Sequence, residues 1–261
     1  MLRSVTIVEA NTVLSWIIWS AGILMEALLL LRAFQARLLG KYSLFYLYSA
    51  SVLLMALLLV FPGPYENWYW QAQFLTLIVG YGILLEILNH VLTPYPGAEK
   101  FARISGVVAF GAILCFALVH PLIKSQWSAD GTMVELERDL RTVQAIFLFL
   151  LACVISYYGI TIGRNMKGMM LGYGLYIATS LVTLAVRAYA GTSFFDEMHK
   201  VIQPLSFDIS LVVWLAALWA YHPNPVPESG IQLEADYEAC VARTRRMMGG
   251  MRASLGKVAR P

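Results

Sequence analysis

The chain has 261 residues, of which 59% are hydrophobic and only 13% are charged, and its net charge is +3. Soluble domains are about 45–50% apolar and about 25% charged, so a water-soluble core of this length could not enclose so much apolar surface. This composition excludes an ordinary soluble globular protein and predicts that much of the surface faces lipid.

Seven apolar runs are long enough to cross a membrane. A spanning helix needs about 20 mostly apolar residues, because the hydrocarbon core is about 30 Å thick and a helix rises about 1.5 Å per residue. In chain order the runs are 12–31, 44–61, 70–90, 102–123, 142–162, 169–190 and 201–221. Pro204 falls in the first turn of the last run, where its missing N–H costs little. The sequence therefore predicts an all-α, polytopic integral membrane protein whose residues 1–222 form a seven-transmembrane-helix bundle.

The distribution of Lys and Arg predicts the orientation of these spans. Alternate connecting segments, together with the C-terminal tail, hold 13 basic residues, whereas the opposite segments hold 6. Cytoplasmic loops carry an excess of Lys and Arg. The bias predicts a cytoplasmic C-terminus and, with seven spans, an N-terminus outside, in a bacterial inner membrane or a plasma membrane.

Residues 223–261 are predicted to form a proline-containing linker and a short basic helix. The helix is expected to run from Leu233 to Met248 and to end at Gly249 and Gly250. Basic side chains on the cytoplasmic side suit a contact with anionic lipid or with a protein partner, and the alternative is a solvated tail. The residues concerned are Arg243, Arg245, Arg246 and Arg252.

Ionisable residues within the predicted spans are candidates for function, because a charge at a helix centre costs about 2.5–3.5 kcal/mol on insertion scales. Glu86 and His90 are four residues apart and share one helix face. Glu26 and His222 are expected toward the same, inner membrane surface. These four residues are a candidate proton or metal site, and the alternative is that the carboxyls are satisfied within the bundle and the histidines lie at the interface.

A second pair is predicted toward the outer surface. Asp208 lies two turns into the seventh run, and Arg187 lies close to the outer end of the sixth. Adjacent antiparallel helices would bring them together, and an arginine–carboxylate pair is a favourable bidentate arrangement. The pair is predicted either to lock the two helices together or to leave Asp208 facing a ligand.

The triplet Gly-Tyr-Gly occurs twice, at residues 80–82 and 172–174. Although the first copy resembles part of a potassium-channel filter, it lies in the middle of a continuous apolar run. Small residues at such points usually permit close contact between helices. Close helix packing is therefore predicted at both triplets.

No cofactor is predicted. Retinal needs a lysine within the last span, and the seventh run has only Lys200, at its edge. Haem needs two histidines that face each other across spans, whereas all four histidines lie near the ends of the runs. A metal at the inner Glu/His group and a haem held by His90 with His222, or by His120 with His199, remain alternatives, and no nucleic-acid partner is expected.

The sequence carries no motif that fixes a reaction or a ligand. The favoured interpretation is a sensory or receptor-like membrane protein without catalysis of its own, which passes a signal to a cytoplasmic or membrane partner. The first alternative is a proton-coupled transporter or a metal-dependent membrane enzyme that uses the inner Glu/His cluster. The second is a structural subunit of a membrane complex, and oligomerisation is compatible with all three.

Overall fold

A computed structural model describes residues 2–58, 65–123, 129–190, 192–223, 225 and 231–258, with side chains for 14–58, 75–112, 115, 137–186, 201–223, 225 and 233–249. Within these ranges the chain forms eight α-helices and no β-strand, which confirms the all-α prediction. The helices are α1 (Leu2–Gln35), α2 (Ser43–Leu58), α3 (Tyr65–Leu92), α4 (Pro96–Ile123), α5 (Ala129–Tyr157), α6 (Arg164–Ala190), α7 (Thr192–Leu218) and α8 (Ile231–Val258).

Five of the described helical segments are long and apolar enough to cross a membrane. They are Leu14–Gln35, Leu75–Leu92, Glu137–Tyr157, Arg164–Val186 and Val201–Leu218, in α1, α3, α5, α6 and α7. The chain is therefore a multi-pass integral membrane protein that contacts the lipid bilayer. The predicted total of seven spans depends on α2, a shorter apolar helix of 16 residues, and on α4, and it stays a prediction.

The first seven helices pack against one another in chain order. Each contacts the next along the chain, and α7 returns to contact α1. Helix α3 also contacts α5 and α6, which brings it toward the interior, and α8 packs against α4. Among the side chains that the structure describes, residues of α1, α2, α3, α5, α6 and α7 contribute to one buried apolar cluster, and residues of α4 pack against it.

The closest approach between helices is that of α6 and α7, and glycines permit it. A Cβ atom added to Gly168 would collide with the Cβ atom of Ala217, and one added to Gly172 would collide with the indole of Trp214. The two glycines are four residues apart, in the G-x-x-x-G arrangement that lets membrane helices touch. This confirms the packing role predicted for the second Gly-Tyr-Gly triplet.

The bundle end at which α8 lies, called here the α8 end, is tied together by polar contacts. Arg32 Nε donates to the carbonyl oxygen of Trp219 at 2.8 Å, and the backbone N–H of His222 donates to Asn165 Oδ1 at 2.8 Å. These contacts join α1, α6 and the segment after α7. The C-termini of α1 and α7 and the N-terminus of α6 therefore lie at the same end.

Helix α7 begins earlier than the apolar run that predicted it. It starts at Thr192, so Pro204 lies inside the helix and not in its first turn, contrary to the prediction. The polar residues 192–200 extend the helix beyond the run, because hydropathy marks the part of a helix that suits lipid and not the point at which its hydrogen bonding begins.

Helix α8 is longer than predicted. It continues through Gly249 and Gly250 as far as Val258, so the two glycines do not end it. Glycine weakens a helix interior by only about 1 kcal/mol relative to alanine, and the methionines, arginine and alanine on either side favour the helix.

Candidate functional site: a buried polar network

Two acidic residues lie near each other on neighbouring helices, Glu26 of α1 and Asp208 of α7. Glu26 is 1% exposed, and Asp208 is half-buried. A Cβ atom built on Gly22, one turn before Glu26, would lie 2.7 Å from Asp208 Oδ1. Residues four apart share a helix face, so Asp208 lies against the face of α1 that carries Glu26.

The helix rise places both carboxyls at the same depth. Glu26 is nine residues from Gln35 at the end of α1, or about 14 Å, and Asp208 is ten residues from Leu218 at the end of α7, or about 15 Å. From the predicted runs, Glu26 is expected toward the inner surface and Asp208 toward the outer one. The structure brings them together. The side chain of Arg187, the partner predicted for Asp208, lies outside the described residues.

Glu86 of α3 binds the backbone at the start of α2. Its side chain is 5% exposed, and its two oxygens accept hydrogen bonds from the backbone N–H groups of Phe45 at 2.7 Å and Leu44 at 3.2 Å. The first N–H groups of a helix have no partner within the helix, and the helix dipole favours a negative charge there. Glu86 therefore caps a helix that begins inside the bundle.

We expect Glu86→Ala to lower the free energy of unfolding by about 1–3 kcal/mol, because it leaves two buried N–H groups without an acceptor. Glu86→Gln should cost less, since its amide oxygen still accepts one of the bonds. Unfolding of the detergent-solubilised variants, followed by circular dichroism, measures both. Equal stability of all three proteins would contradict the capping role.

The histidines predicted beside Glu86 lie near the α8 end. His90 Nδ1 is 2.9 Å from the carbonyl oxygen of Glu86, and its ring centroid is 5.2 Å from that of Tyr42. The side chain of His222 is exposed. Among the residues whose side chains are described, no three His, Cys, Asp or Glu residues are grouped so as to hold a metal ion. The structure thus places His90 against the backbone of Glu86, and it places Asp208, not Glu86, beside the turn of α1 that precedes Glu26.

A buried arginine, Arg141 of α5, forms the second charged centre of the bundle. Its side chain donates to Glu137 Oε1 at 2.9 Å, and its Nη2 atom donates to the hydroxyl of Tyr176 at 3.1 Å. The guanidinium carbon also lies 4.7 Å from the centroid of the Tyr176 ring. The sequence does not single out Arg141, because it precedes the fifth apolar run by one residue; its i, i+4 spacing from Glu137 is the signal that could have identified it.

Two tyrosines lie in the interior beside the buried arginine. Tyr48 of α2 is buried, and a Cβ atom on Gly80 would lie 3.5 Å from its ring. Its ring centroid lies 6.3 Å from that of Tyr173, whose hydroxyl donates to the carbonyl oxygen of Gly80 at 2.7 Å. The resulting polar network is defined here as Asp208, Glu26, Tyr48, Tyr173, Tyr176, Arg141 and Glu137.

Several buried oxygen atoms in and beside this network have no hydrogen-bond partner among the described residues. They include Oε1 of Glu26, Oε1 of Gln144 and Oγ of Ser49. The amide nitrogen of Gln144 would lie 3.7 Å from a Cβ atom on Gly80, which sets this residue beside Tyr173. Because buried polar atoms are normally paired, the network retains hydrogen-bonding capacity for water or for a bound molecule.

Substitutions of two arginines of α5 should differ in their effect on the free energy of unfolding. We expect Arg141→Ala to cost about 3 kcal/mol or more, because removing one partner of a buried pair leaves the other uncompensated. Arg138 pairs with Asp139 at 3.2 Å, and both side chains are about half exposed (51% and 50%). Arg138→Ala should therefore cost less than about 1 kcal/mol. Similar decreases in the free energy of unfolding of the two variants would contradict the stabilising role assigned to Arg141.

The basic residues of the tail lie on α8. Near its start, Glu234 Oε1 accepts a hydrogen bond from the backbone N–H of Gly97 at 2.9 Å, and Asp236 accepts one from the hydroxyl of Tyr158 at 3.2 Å. Beyond this docked part, three of the predicted contact residues are exposed, and the side chain of the fourth, Arg252, lies outside the described residues. The exposed three are Arg243, Arg245 and Arg246.

No protein-family model, curated protein or solved structure matches this chain. Functional interpretation therefore depends on the chain's own geometry.

Proposed function

We propose that this membrane protein is a proton-coupled transporter in which Glu26 and Asp208 exchange the coupled proton. The observation that carries the proposal is the placement of these two acidic residues, one buried on α1 and one on α7, where Asp208 packs against the turn of α1 that precedes Glu26. Acidic residues within spans are rare, and chains of them serve proton relays in pumps and transporters.

The electrostatics of the pair favour one shared proton. Two ionised carboxylates in contact repel each other, and a low-dielectric surrounding strengthens the repulsion. One proton removes a charge and supplies a hydrogen bond between the two groups. Because the groups belong to different helices, gain or loss of that proton changes the attraction between α1 and α7, and a change of this kind couples protonation to helix movement.

The polar network offers a path between the pair and the bundle end opposite α8. Arg141 is about 24 Å and Glu137 about 30 Å from the end of α5 at Tyr157, against about 14 Å for Glu26 from the end of α1. The network therefore rises from the middle of the bundle toward that opposite end. Hydroxyls and carboxylates along it can pass protons through intervening water, and Arg141 orients the groups that it binds.

Between the pair and the α8 end the interior is closely packed, and its buried carboxylate, Glu86, is engaged in capping α2. Trp214 is fully buried, and its ring centroid lies 5.1 Å from that of Phe45. Leu211 and Leu218 of the same helix are also buried. A polar path on one side of a central site and a closely packed side opposite are the features expected of one state of an alternating-access transporter.

The proposed topology has seven spans, with the N-terminus outside and α8 in the cytoplasm. Lys and Arg are concentrated in the segments at the α8 end, and such an excess is typical of cytoplasmic loops. The open end of the polar network would then face the outside. Reporter fusions at the two termini test this directly, and a C-terminal fusion active only outside the cytoplasm would overturn it.

A sensory or receptor-like protein is the second candidate. It is favoured by the docking of α8, which contacts the first turn of α4 through Gly97 and the α5–α6 connection through Tyr158. A movement of the bundle would reach the exposed basic part of α8 through these contacts. A sensor would bind its ligand without moving protons across the membrane, so a flux measurement separates the two functions.

The test uses purified protein reconstituted into vesicles that enclose a pH-sensitive dye. A potassium gradient with valinomycin sets the membrane potential, and a panel of amino acids, sugars and organic ions is added outside. A transporter should carry protons faster than protein-free vesicles, and its substrate should change that rate. Flux equal to that of protein-free vesicles throughout the panel would reject the proposal.

A further inference from the structure

A groove between α5 and α6 opens toward the lipid. It encloses about 820 Å³ and is apolar along its length. Small side chains in its lining leave the space open. They belong to Ala145 and Ala152 on α5 and to Gly174 and Ala178 on α6. The groove lies outside the polar network, and its lining belongs to two of the segments that suit a membrane span.

One end of the groove carries a positive charge. Lys167, in the first turn of α6, is the only charged residue of the lining, and it is exposed. In the part of the chain whose side chains are described, no carboxylate forms an ion pair with it. Lysine near a span end extends its ammonium group to the headgroup level while its methylene chain covers apolar surface.

The dimensions suit one leaflet of a bilayer. The lining on α6 extends from Lys167 to Val182, or about 22 Å along the helix, whereas half of the hydrocarbon core is about 15 Å thick. An acyl chain starting beside Lys167 therefore fits within the groove over its whole length.

We propose that this groove is a binding site for an anionic phospholipid of the leaflet at the α8 end. Its phosphate pairs with Lys167, and one acyl chain fills the space between α5 and α6. Charge complementarity selects the headgroup, because a basic side chain at the membrane surface attracts anionic lipids. The lipid binds here and not elsewhere on the lipid-facing surface because the small residues leave space for its acyl chain.

The test compares lipid retention in four proteins by native mass spectrometry, after reconstitution in nanodiscs of phosphatidylcholine with 20 mol% phosphatidylglycerol and release into detergent. They are the wild type, Lys167→Gln, Ala178→Phe and a matched control, Lys100→Gln. Ala178→Phe fills the groove without altering its charge. Lys100 is exposed at the same bundle end and does not line the groove.

The wild type and Lys100→Gln should retain one phosphatidylglycerol molecule, with preference over phosphatidylcholine. Lys167→Gln should lower that preference about fivefold, as expected for one surface lysine. Ala178→Phe should lower retention of both lipids. Equal effects of the two lysine substitutions, or full retention in Ala178→Phe, would overturn the proposal. Circular dichroism establishes that each variant is folded.

Discussion

Replacing Glu26 by glutamine should lower the proton flux of reconstituted protein by about 100-fold or more, because a group that gives and takes a proton typically contributes 10²–10⁴-fold. Glutamine keeps the size of the side chain and its capacity for hydrogen bonds, but it cannot exchange a proton in this range of pH. Asp208→Asn should have the same effect. Both variants should remain folded, since each removes a charge that is costly inside a membrane, fully buried at Glu26 and half-buried at Asp208, without leaving a cavity.

Two further variants separate proton exchange from structure. Glu99→Gln, on the first turn of α4, removes a carboxylate outside the polar network and should leave the flux unchanged. Gly22→Ala retains both carboxyls but sets a methyl group 2.7 Å from Asp208 Oδ1, so the carboxylate must shift. It should slow the flux less than Glu26→Gln does. A normal rate in Glu26→Gln would reject Glu26 as the proton carrier.

Replacing Gly168 by leucine should be the most destabilising of the substitutions considered, at about 3 kcal/mol or more, since overpacking of a close interior typically costs about 1–3 kcal/mol and sometimes exceeds it. Even the first added atom would collide with the Cβ atom of Ala217, and the Cα atom of that residue lies 3.5 Å away. Backbone cannot move aside as a flexible side chain does. Helices α6 and α7 would therefore have to separate.

Gly111→Leu is the matched control for Gly168→Leu. Gly111 also lies within a long helix, α4, and a Cβ atom added there would meet nothing within 4 Å. Leucine is the better helix former by up to about 1 kcal/mol, so this variant should be as stable as the wild type or slightly more stable. Unfolding by sodium dodecyl sulfate, followed by circular dichroism, compares the two. Equal destabilisation would contradict the packing assigned to α6 and α7.

Hydropathy is sufficient to predict the apolar helices, because a buried backbone in lipid must satisfy its own hydrogen bonds and a 20-residue apolar run leaves few alternatives. It does not predict helix ends. Residues 192–200 are too polar to extend the seventh run, yet they are helical, and Gly249 and Gly250 are accommodated within α8. Local signals at these positions are worth about 1 kcal/mol or less, so neighbouring residues decide the outcome.

The polar residues of the site were mostly identifiable, but their partners were not. Glu26, Glu86 and Asp208 stand out because charge is rare in the spans. Which of these residues approach each other depends on how each helix is rotated about its axis and on how deep each residue lies in the bundle. Neither quantity can be derived from a single apolar run. Helix α2 begins below the bundle surface, where Glu86 caps it, and this start has no counterpart in the sequence pattern. The sequence does not identify Arg141, because a charged residue directly before an apolar run is typical of a connecting loop.

The central claim is that Glu26 and Asp208 share a proton at the middle of the membrane, and infrared spectroscopy of the reconstituted protein tests it most directly. At neutral pH the wild type should give the C=O stretching band of a protonated carboxyl group in an apolar surrounding. The band should be lost or shifted in both Glu26→Gln and Asp208→Asn, and it should be unchanged in Glu99→Gln. A wild-type spectrum without a protonated carboxyl, or a band that neither substitution alters, would contradict the account.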